Sequence, residues 1–274
     1  MPKFSSSDRA LRADLKRALD SDGQLGLRYQ PQVQLADGGL YGIEALARWR
    51  HPVLGDLPPD RFVPVAEAGG LIGRIGLWAV ESGCRQLAAW QASGLDVASI
   101  SVNLSPTQFH SPDLAEKIVA ILARSGIAPE ALMIEVTETV YLDGAGLRVL
   151  KQVHDTGVRL AIDDFGTGYS SLARLRDMPV DELKVDRQFL AGLEHDKRVR
   201  ALMQAVVGIG DSLGLAVVVE GVETEGQAQF LASCGCMAAQ GYLYAEPMEA
   251  EGFERWLRER SGRRLSPASL QTRV

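Results

Sequence analysis

The feature that most constrains the fold of this chain is a regular alternation of apolar, β-branched segments with amphipathic ones along its 274 residues. Segments with strand character lie at 25–35, 40–49, 98–105, 132–139, 159–165, 182–189, 215–222 and 237–244. Apolar positions at helical spacing indicate helices at 8–20, 72–92, 112–125, 145–156, 197–213, 225–234 and 250–260. Eight strands that alternate with helices in roughly 250 residues predict an α/β fold, a TIM-like (β/α)8 barrel.

One connection departs from the barrel pattern. Only Ala36-Asp37-Gly38-Gly39 separates the first two predicted strands. A parallel pair needs a crossover of about a dozen residues, whereas Asp-Gly-Gly is typical of a hairpin turn. We therefore expect the first strand to run antiparallel to the rest of the barrel. A doubly wound open sheet is the alternative that the sequence leaves open.

Charge and cysteine content exclude several classes of protein. The net charge of −6 does not suit a protein that grips a nucleic-acid backbone, so no DNA partner is expected. The three cysteines, Cys84, Cys234 and Cys236, do not form a zinc-ligand pattern and indicate reduced thiols and a cytoplasmic location. No signal-peptide core is present and no apolar run reaches the ~18 residues of a membrane span, so we expect no membrane contact within this segment.

The start and the end of the strand–helix alternation divide the chain into three parts. We expect a lead-in helix within 1–22, the barrel over 23–260, and a tail at 261–274. The tail sequence, SGRRLSPASLQTRV, contains three arginines and no acids, which is typical of a disordered, solvated end.

Polar side chains lie toward the C-terminal end of every predicted strand after the first. Because these ends converge on one mouth of a closed barrel, where active sites of this fold lie, the side chains are expected to meet there. Five or more carboxylates in one mouth raise each other's pKa unless cations compensate their charge. Oxygen ligands suit Mg²⁺ or Mn²⁺, whereas zinc prefers His and Cys. The residues are Glu44, Asn103, Glu135, Glu138, Asp163, Asp164, Lys184, Asp186, Glu220, Glu223 and Gln240.

The adjacent acids Asp163 and Asp164 open the stretch DDFGTGYSSL. A dinucleotide-binding glycine loop is excluded here, because the third glycine of that pattern is missing and acids occupy the strand end. Two acids side by side instead suit two cations, with Asp163 bridging them and Glu220 completing the second site. Such a pair forms a clamp for in-line attack on a phosphodiester. Lys184 would orient the nucleophile or offset charge on the phosphoryl oxygens.

Eight ordered sequence blocks identify a family resemblance over residues 10–260. The chain resembles the EAL-domain family, bacterial phosphodiesterases that hydrolyse cyclic di-GMP, and the resemblance implies Mg²⁺- or Mn²⁺-dependent conversion of cyclic di-GMP to linear pGpG. A lone Glu-Ala-Leu tripeptide would carry no weight, but the full ordered set is highly specific. The blocks are YQP at 29–31, EALARW at 44–49, VNLS at 102–105, EVTET at 135–139, DDFGTGYSSL at 163–172, LKVD at 183–186, EGVET at 220–224 and QGYL at 240–243.

The resemblance implies a role for each matching residue. One metal would be held by Glu44, Asn103, Glu135 and Asp163, and the other by Asp163, Asp164 and Glu220. Glu44, Asp163, Lys184 and Glu220 would be catalytic, with Lys184 contacting the attacking water and Glu220 acting as general base or only as ligand. Glu138 would anchor the loop after Asp164. Substrate contact or support of the site would fall to Gln30, Leu46, Arg48, Asp186, Glu223 and Gln240.

For Arg48 two interpretations stay open at this point. Arg48 is two residues beyond Leu46 and alternates to the same side of its strand as Glu44, from where its guanidinium could hold a phosphate as a fork. A structural salt bridge within the barrel is the alternative. Ala47 and the pair Ala245-Glu246 depart from the common family pattern, and Glu246 is interpreted as a rim residue.

Partners and competing functions follow from the same resemblance. It implies a homodimer linked to the loop after the 159–165 strand, an upstream sensory or GGDEF domain in a longer parent chain, and inhibition by Ca²⁺, which coordinates more loosely than Mg²⁺. A module that binds cyclic di-GMP without cleaving it, and a barrel enzyme acting on another phosphate ester, are the competing hypotheses. The intact acids and Lys184 argue against the first of these.

Overall fold

The computed structural model describes residues 6–21, 23–137, 144–166 and 175–262 of the chain. Glu138, most of the loop after Asp164 and nearly all of the predicted tail lie outside these residues. The helices are α1 Ser6–Leu19, α2 Pro59–Gly69, α3 Ile72–Ala92, α4 Leu114–Ser125, α5 Gly144–His154, α6 Lys197–Leu213, α7 Glu225–Ser233 and α8 Ala250–Gly262. The strands are β1 Leu25–Gln34, β2 Leu40–His51, β3 Gly55–Leu57, β4 Ile100–Asn103, β5 Leu132–Thr137, β6 Arg159–Phe165, β7 Glu182–Val185, β8 Ala216–Val219 and β9 Ala238–Ala239.

Eight of these strands close into a barrel in the order β1-β9-β8-β7-β6-β5-β4-β2, and β1 pairs with β2 to complete the ring. Strand β1 is antiparallel to both of its neighbours, and the other barrel pairs are parallel. The predicted barrel with one reversed strand is therefore confirmed, and the open sheet is excluded. The turn between β1 and β2 supplies the reason, because Gly38 has a φ of 73° and Asp37 Oδ1 accepts from the Gly39 N–H at 2.8 Å.

The later strands are shorter than the sequence predicts. Strand β7 ends at Val185, and Asp186 then caps a 3₁₀ turn over Arg187–Leu190 by accepting from the Gln188 N–H at 2.9 Å. Strand β9 has only two residues, Ala238–Ala239. The hydrogen bond to the Asp186 side chain turns the chain at the end of β7. Several predicted site residues therefore lie on turns at the mouth rather than within strands.

A side lobe, consisting of α1, β3 and α2, was not predicted as a unit. Strand β3 extends the sheet beyond the C-terminal half of β2. Leu15, Trp49 and Phe62 are fully buried in a separate apolar cluster that joins α1 and α2 to the end of β2. The stretch from Phe62 to Leu77 contributes to α2 and α3, with a break at Gly70, where φ is 70°.

The main core fills the layer between the barrel and its surrounding helices. Strand residues such as Ile100, Leu132 and Leu160 are fully buried against Leu87 and Leu150 of the helices. In the described part of the chain, no helix combines the length and apolar character needed to cross a bilayer.

Candidate active site

Four carboxylates surround the ammonium group of Lys184 at the mouth of the barrel. Lys184 Nζ lies 2.5 Å from Glu135 Oε2 and 2.5 Å from Glu220 Oε1. It lies 3.4 Å from Glu44 Oε2 and 3.5 Å from Asp163 Oδ1. We call Glu44, Glu135, Asp163 and Glu220 the carboxylate ring. The structure thus brings together four of the six predicted metal ligands around a single buried cation.

Strand alternation points these side chains inward. Successive side chains of a strand face opposite sides, so the neighbours of each ring residue pack into the layer beneath the helices. Glu220, whose N–H donates to the Val185 carbonyl at 3.0 Å, follows directly after β8. Asn103 lies beside Glu135 in the parallel register of β4 and β5. The buried flanking residues are Ile43, Ala45, Ile134, Val136, Ile162, Leu183, Val185 and Val219.

The ring carries more negative charge than Lys184 balances. Burial raises the pKa of Glu135 well above its usual range, and the neighbouring Glu44 adds to this. Burial likewise raises the pKa of Glu220 to about 8, although Lys184 opposes the shift. Glu220 keeps 24% of its side chain exposed and is the most exposed of the four ring members. The four carboxylates raise the pKa of Lys184 well above its usual range in spite of its burial, so this group remains an ammonium.

Glu44 is the ring member that is fixed as a carboxylate. Burial alone would raise its pKa, but Lys184 and the hydrogen bonds from Gln240 and Asn103 bring the pKa below its usual range. Asn103 Nδ2 donates to Glu44 Oε1 at 2.7 Å, and Gln240 Nε2 donates to Glu44 Oε2 at 2.7 Å. Both oxygens of Glu44 are therefore held in place before any ligand arrives.

Gln30 and Gln240 form a second layer behind Glu44. Gln240 Nε2 also donates to Gln30 Oε1 at 2.8 Å, and Gln30 Nε2 donates to the Ala245 carbonyl at 3.0 Å. Both glutamines are buried. Of the two predicted roles, substrate contact or support of the site, this geometry favours support.

Asp164 has an unusual backbone conformation. Its φ of 55° places a residue with a side chain in the left-handed region, which only glycine and, less often, Asn or Asp adopt readily. Its N–H donates to Asp163 Oδ1 at 3.0 Å. Burial and the neighbouring Asp163 raise its pKa. Strain of this kind at a strand end is typical of functional sites.

The donor set fits a divalent cation with oxygen ligands. Among the described residues, no three acidic, imidazole or thiol side chains are arranged as a preformed metal site. The ammonium of Lys184 lies among the carboxylates of the ring instead. Glu135 Oε1 and Gln240 Oε1 are nevertheless buried and accept no hydrogen bond from the described residues. Buried, unpartnered oxygens beside surplus negative charge are what Mg²⁺ or Mn²⁺ would satisfy, and the part of the chain that the structure describes brings no thiolate or imidazole to the ring to favour zinc.

The remaining predicted residues lie farther out. Arg48 makes no ion pair with any described residue, so a structural salt bridge is not observed, and its guanidinium donates to the Ala47 carbonyl at 2.9 Å. Burial and the nearby Arg28 lower its pKa. Leu46 is half-buried between Glu44 and Arg48 on β2. Glu223 is exposed, and its N–H donates to Gln227 Oε1 at 2.8 Å.

Sequence reasoning missed a set of charged residues near Arg48. Arg28 and Arg50 lie with Arg48 along a cleft at the mouth, and Glu249 joins them from the start of the final helix. The alternation of side chains along a strand could have identified the two arginines. Arg28 is two residues from Gln30, and Arg50 is two residues from Arg48, so each lies on the same face of its strand as a predicted site residue. Glu249 has no comparable sequence signal, since tertiary folding alone brings it to β1.

Comparison with known proteins identifies the relatives of this chain. A family model described as the EAL domain matches residues 12–247. The bifunctional diguanylate cyclase/cyclic di-GMP phosphodiesterase MucR of Pseudomonas aeruginosa is 44% identical over 240 residues, which are 87% of this chain and 35% of MucR. The oxygen sensor protein DosP of Escherichia coli K12 is 43% identical over 249 residues, which are 90% of this chain and 31% of DosP. The chain therefore spans about a third of the length of these relatives.

Solved structures share the fold. A structure of the MucR phosphodiesterase in complex with c-di-GMP has a TM-score of 0.83 and 43% sequence identity, covering 89% of this chain and 99% of that one. The EAL enzyme Bd1971 with cAMP and cyclic di-GMP bound has a TM-score of 0.85 and 27% identity, covering 92% of this chain and 69% of that one.

Proposed function

Because this chain belongs to the EAL domain family, whose model matches residues 12–247, we propose that it hydrolyses cyclic di-GMP to linear pGpG with the help of divalent cations. The observation that carries the proposal is the carboxylate ring around Lys184 at the mouth of the closed barrel. The 44% identity to MucR, which is named a cyclic di-GMP phosphodiesterase, supports the choice of substrate.

The chain offers ligands for two cations. Glu44, Asn103, Glu135 and Asp163 would hold one Mg²⁺ or Mn²⁺, and Asp163, Asp164 and Glu220 would hold the other. When bound, such a pair supplies activation of water and neutralises charge on the phosphoryl group. The surplus negative charge of the ring and the unpartnered Glu135 Oε1 support this assignment.

The chain's own groups then bind the substrate and move the proton. Arg48, which has no carboxylate partner among the described residues, would hold a phosphate of the substrate through its guanidinium. Lys184 Nζ would orient the attacking water or offset charge that develops on the phosphoryl oxygens. Glu220, which keeps 24% of its side chain exposed, would act as general base or only as a metal ligand.

Product analysis tests the proposal directly. The purified chain is incubated with cyclic di-GMP and Mg²⁺, Mn²⁺ or Ca²⁺, and the products are separated by chromatography. We expect pGpG with Mg²⁺ and Mn²⁺ and little or none with Ca²⁺, whose coordination is longer and looser. Binding without any pGpG would instead identify a module that senses the nucleotide, and cleavage of other cyclic nucleotides alone would identify a different phosphodiesterase.

The proposal extends to the surroundings of this domain. We propose a cytoplasmic homodimer linked to the loop after β6, within a parent chain that carries an upstream sensory or GGDEF domain. The curated relatives are about three times as long as the matched region, which supports a larger parent. Light scattering of the purified chain would test the dimer.

A further inference from the structure

A cleft of about 500 Å³ lies along β1 and β2 beside Arg48, a volume typical of small-molecule sites. Its walls carry charges of both signs and an exposed aromatic ring. We call it the rim cleft, and the residues that matter are Arg28, Arg48, Arg50, Tyr242, Pro247 and Glu249.

The register of β1 and β2 places the rim cleft in line with the carboxylate ring. Gln30 pairs with Glu44, and Gly26 pairs with Arg48, four residues farther along β2. At the rise of a strand this separates Arg48 from Glu44 by ~13 Å. No atom lies within 4 Å of where a side chain on Gly26 would begin, so the space opposite Arg48 is open. A ligand that contacts the ring can therefore continue past Arg48 into the rim cleft.

The polar groups of the rim cleft suit a planar ligand rather than a second phosphate. Arg28 Nη2 lies 3.1 Å from Glu249 Oε1, and Arg50 Nη2 lies 4.0 Å from the same oxygen. An anion would be attracted by the arginines and repelled by Glu249 and by Asp56, which also lines the rim cleft and lies 3.6 Å from Arg50 Nε. A ligand with acceptors on one edge and donors beside them satisfies both kinds of side chain.

We propose that the rim cleft holds one guanine base of the cyclic dinucleotide and that Glu249 determines specificity for guanine; this rests on the proposed function. Guanine presents O6 and N7 as acceptors, which Arg50 would contact as a fork, and its ring N–H and N2 amino group would donate to Glu249. Adenine carries an amino donor in place of O6 and has no N2 amino group, so both contacts fail.

Arg28 and Tyr242 complete this site. Arg28 is a positioning residue, because its ion pair holds the Glu249 carboxylate over the rim cleft while leaving lone pairs of that carboxylate for the base. Tyr242 is 65% exposed at the edge of the rim cleft, where its ring offers a stacking surface.

The test compares Glu249→Gln, just before the final helix, with Glu251→Gln, which makes the same change at an exposed position in the first turn of that helix, outside the rim cleft. Dissociation constants for cyclic di-GMP and cyclic di-AMP are measured with Ca²⁺, and kcat and KM for cyclic di-GMP are measured with Mg²⁺. Glu249→Gln should reduce the preference for cyclic di-GMP by about tenfold or more. It should raise KM with little change in kcat, whereas Glu251→Gln should match the parent chain.

The outcomes separate this inference from the proposed function. A parent chain that does not cleave cyclic di-GMP overturns the proposed function and this inference with it. The guanine assignment alone is overturned in two cases. Either the parent chain cleaves cyclic di-GMP but shows no preference for it over cyclic di-AMP, or Glu249→Gln keeps the parent chain's preference. If Glu249→Gln lowers the affinity for both nucleotides equally, the guanine assignment is also overturned, because the loss of affinity would then be general.

Discussion

At the scale of single residues, Lys184 governs the electrostatics of the mouth. Its ammonium is the only cation that the described residues place among the four carboxylates of the ring. A buried charge that loses its partner is far more costly than a surface charge that does so. The lysine therefore stabilises the ring in the absence of metal, and under the proposed function it would also provide a donor beside the phosphoryl group.

Replacement of Lys184 tests its contribution to the stability of the metal-free ring. In Lys184→Met, the four carboxylates of the ring, of which Glu44 and Glu135 are buried, would have no compensating charge, and we expect the free energy of unfolding in EDTA to fall by about 3–5 kcal/mol. Urea unfolding measures the change. The control is Lys117→Met, which removes an exposed ion pair with Asp113 at 2.7 Å and should cost at most about 1 kcal/mol. Equal effects of the two substitutions would contradict the prediction.

The raised pKa of Glu220 predicts how the stability of the metal-free chain depends on pH. The unfolded chain releases this proton near the usual glutamate pKa of 4.5, whereas the folded chain keeps it until about pH 8. The folded state thus binds more protons between these values, so stability is highest below the lower one and declines as pH rises through the window. Glu135 contributes in the same direction.

Urea unfolding in EDTA at pH 5 and pH 8 measures this decline. Glu220→Gln carries no charge at either pH and should flatten the decline, whereas Glu246→Gln, on an exposed residue, should leave it as in the parent chain. A decline as steep in Glu220→Gln as in the parent chain would show that Glu220 titrates normally.

At the scale of elements, the side lobe connects the first helix to the substrate side of the mouth. Leu15 of α1 is fully buried against Trp49 and Phe62, and Trp49 directly follows Arg48 on β2. His51, at the end of the same strand, lies 3.2 Å from Asp14 of α1. The position of α1 is therefore coupled to the strand that carries Glu44, Leu46 and Arg48.

A truncation in α1 tests the importance of this packing. Leu15→Ala removes a fully buried side chain, so we expect a loss of about 2–5 kcal/mol in the free energy of unfolding. The same change at Leu202, which is 52% exposed on α6, should alter stability by at most about 0.5 kcal/mol. We also expect Leu15→Ala to raise KM for cyclic di-GMP, because β2 loses support beside Arg48. An unchanged KM would limit the lobe to a scaffold role.

What the sequence predicts depends on whether the signal is local. The reversed β1 follows from Asp37-Gly38-Gly39, a turn whose chemistry requires no knowledge of distant residues. The inward direction of Glu44 and Glu135 follows from alternation within their own strands. By contrast, α2 begins at Pro59, directly after Pro58, and contains Pro64, so its helical pattern is masked.

The limits of prediction are clearest where contacts are nonlocal. Glu249 meets Arg28 only because the final helix folds back against β1, and no spacing rule connects two residues so far apart in the chain. Likewise, the buried link between Gln30 and Gln240 joins opposite ends of the sequence at the point where β1 lies beside β9. Docking of the final helix creates the first contact, and closure of the barrel between β1 and β9 creates the second.

At the scale of the whole molecule, folding and cation binding should be linked. The barrel gathers acids from separate strands, and these acids converge only in the folded chain. A cation that binds the folded but not the unfolded state stabilises the protein, by about 2.7 kcal/mol at a hundredfold excess over its dissociation constant. This linkage is a property of the closed barrel, since no single strand carries enough ligands for one site.

Thermal unfolding with increasing Mg²⁺ or Mn²⁺ therefore provides a test that does not depend on catalysis. We expect Tm of the parent chain to rise with cation concentration and the rise to be largely lost in Glu44→Ala and Asp163→Ala. The shift in Tm is the relevant quantity, because removing one carboxylate also lessens repulsion in the metal-free ring and can raise the starting Tm. Asp211→Ala, on α6 and away from the mouth, should keep the full shift. A shift that persists in Asp163→Ala would mean that the cations bind outside the carboxylate ring, and the assignment of the metal ligands would then be wrong.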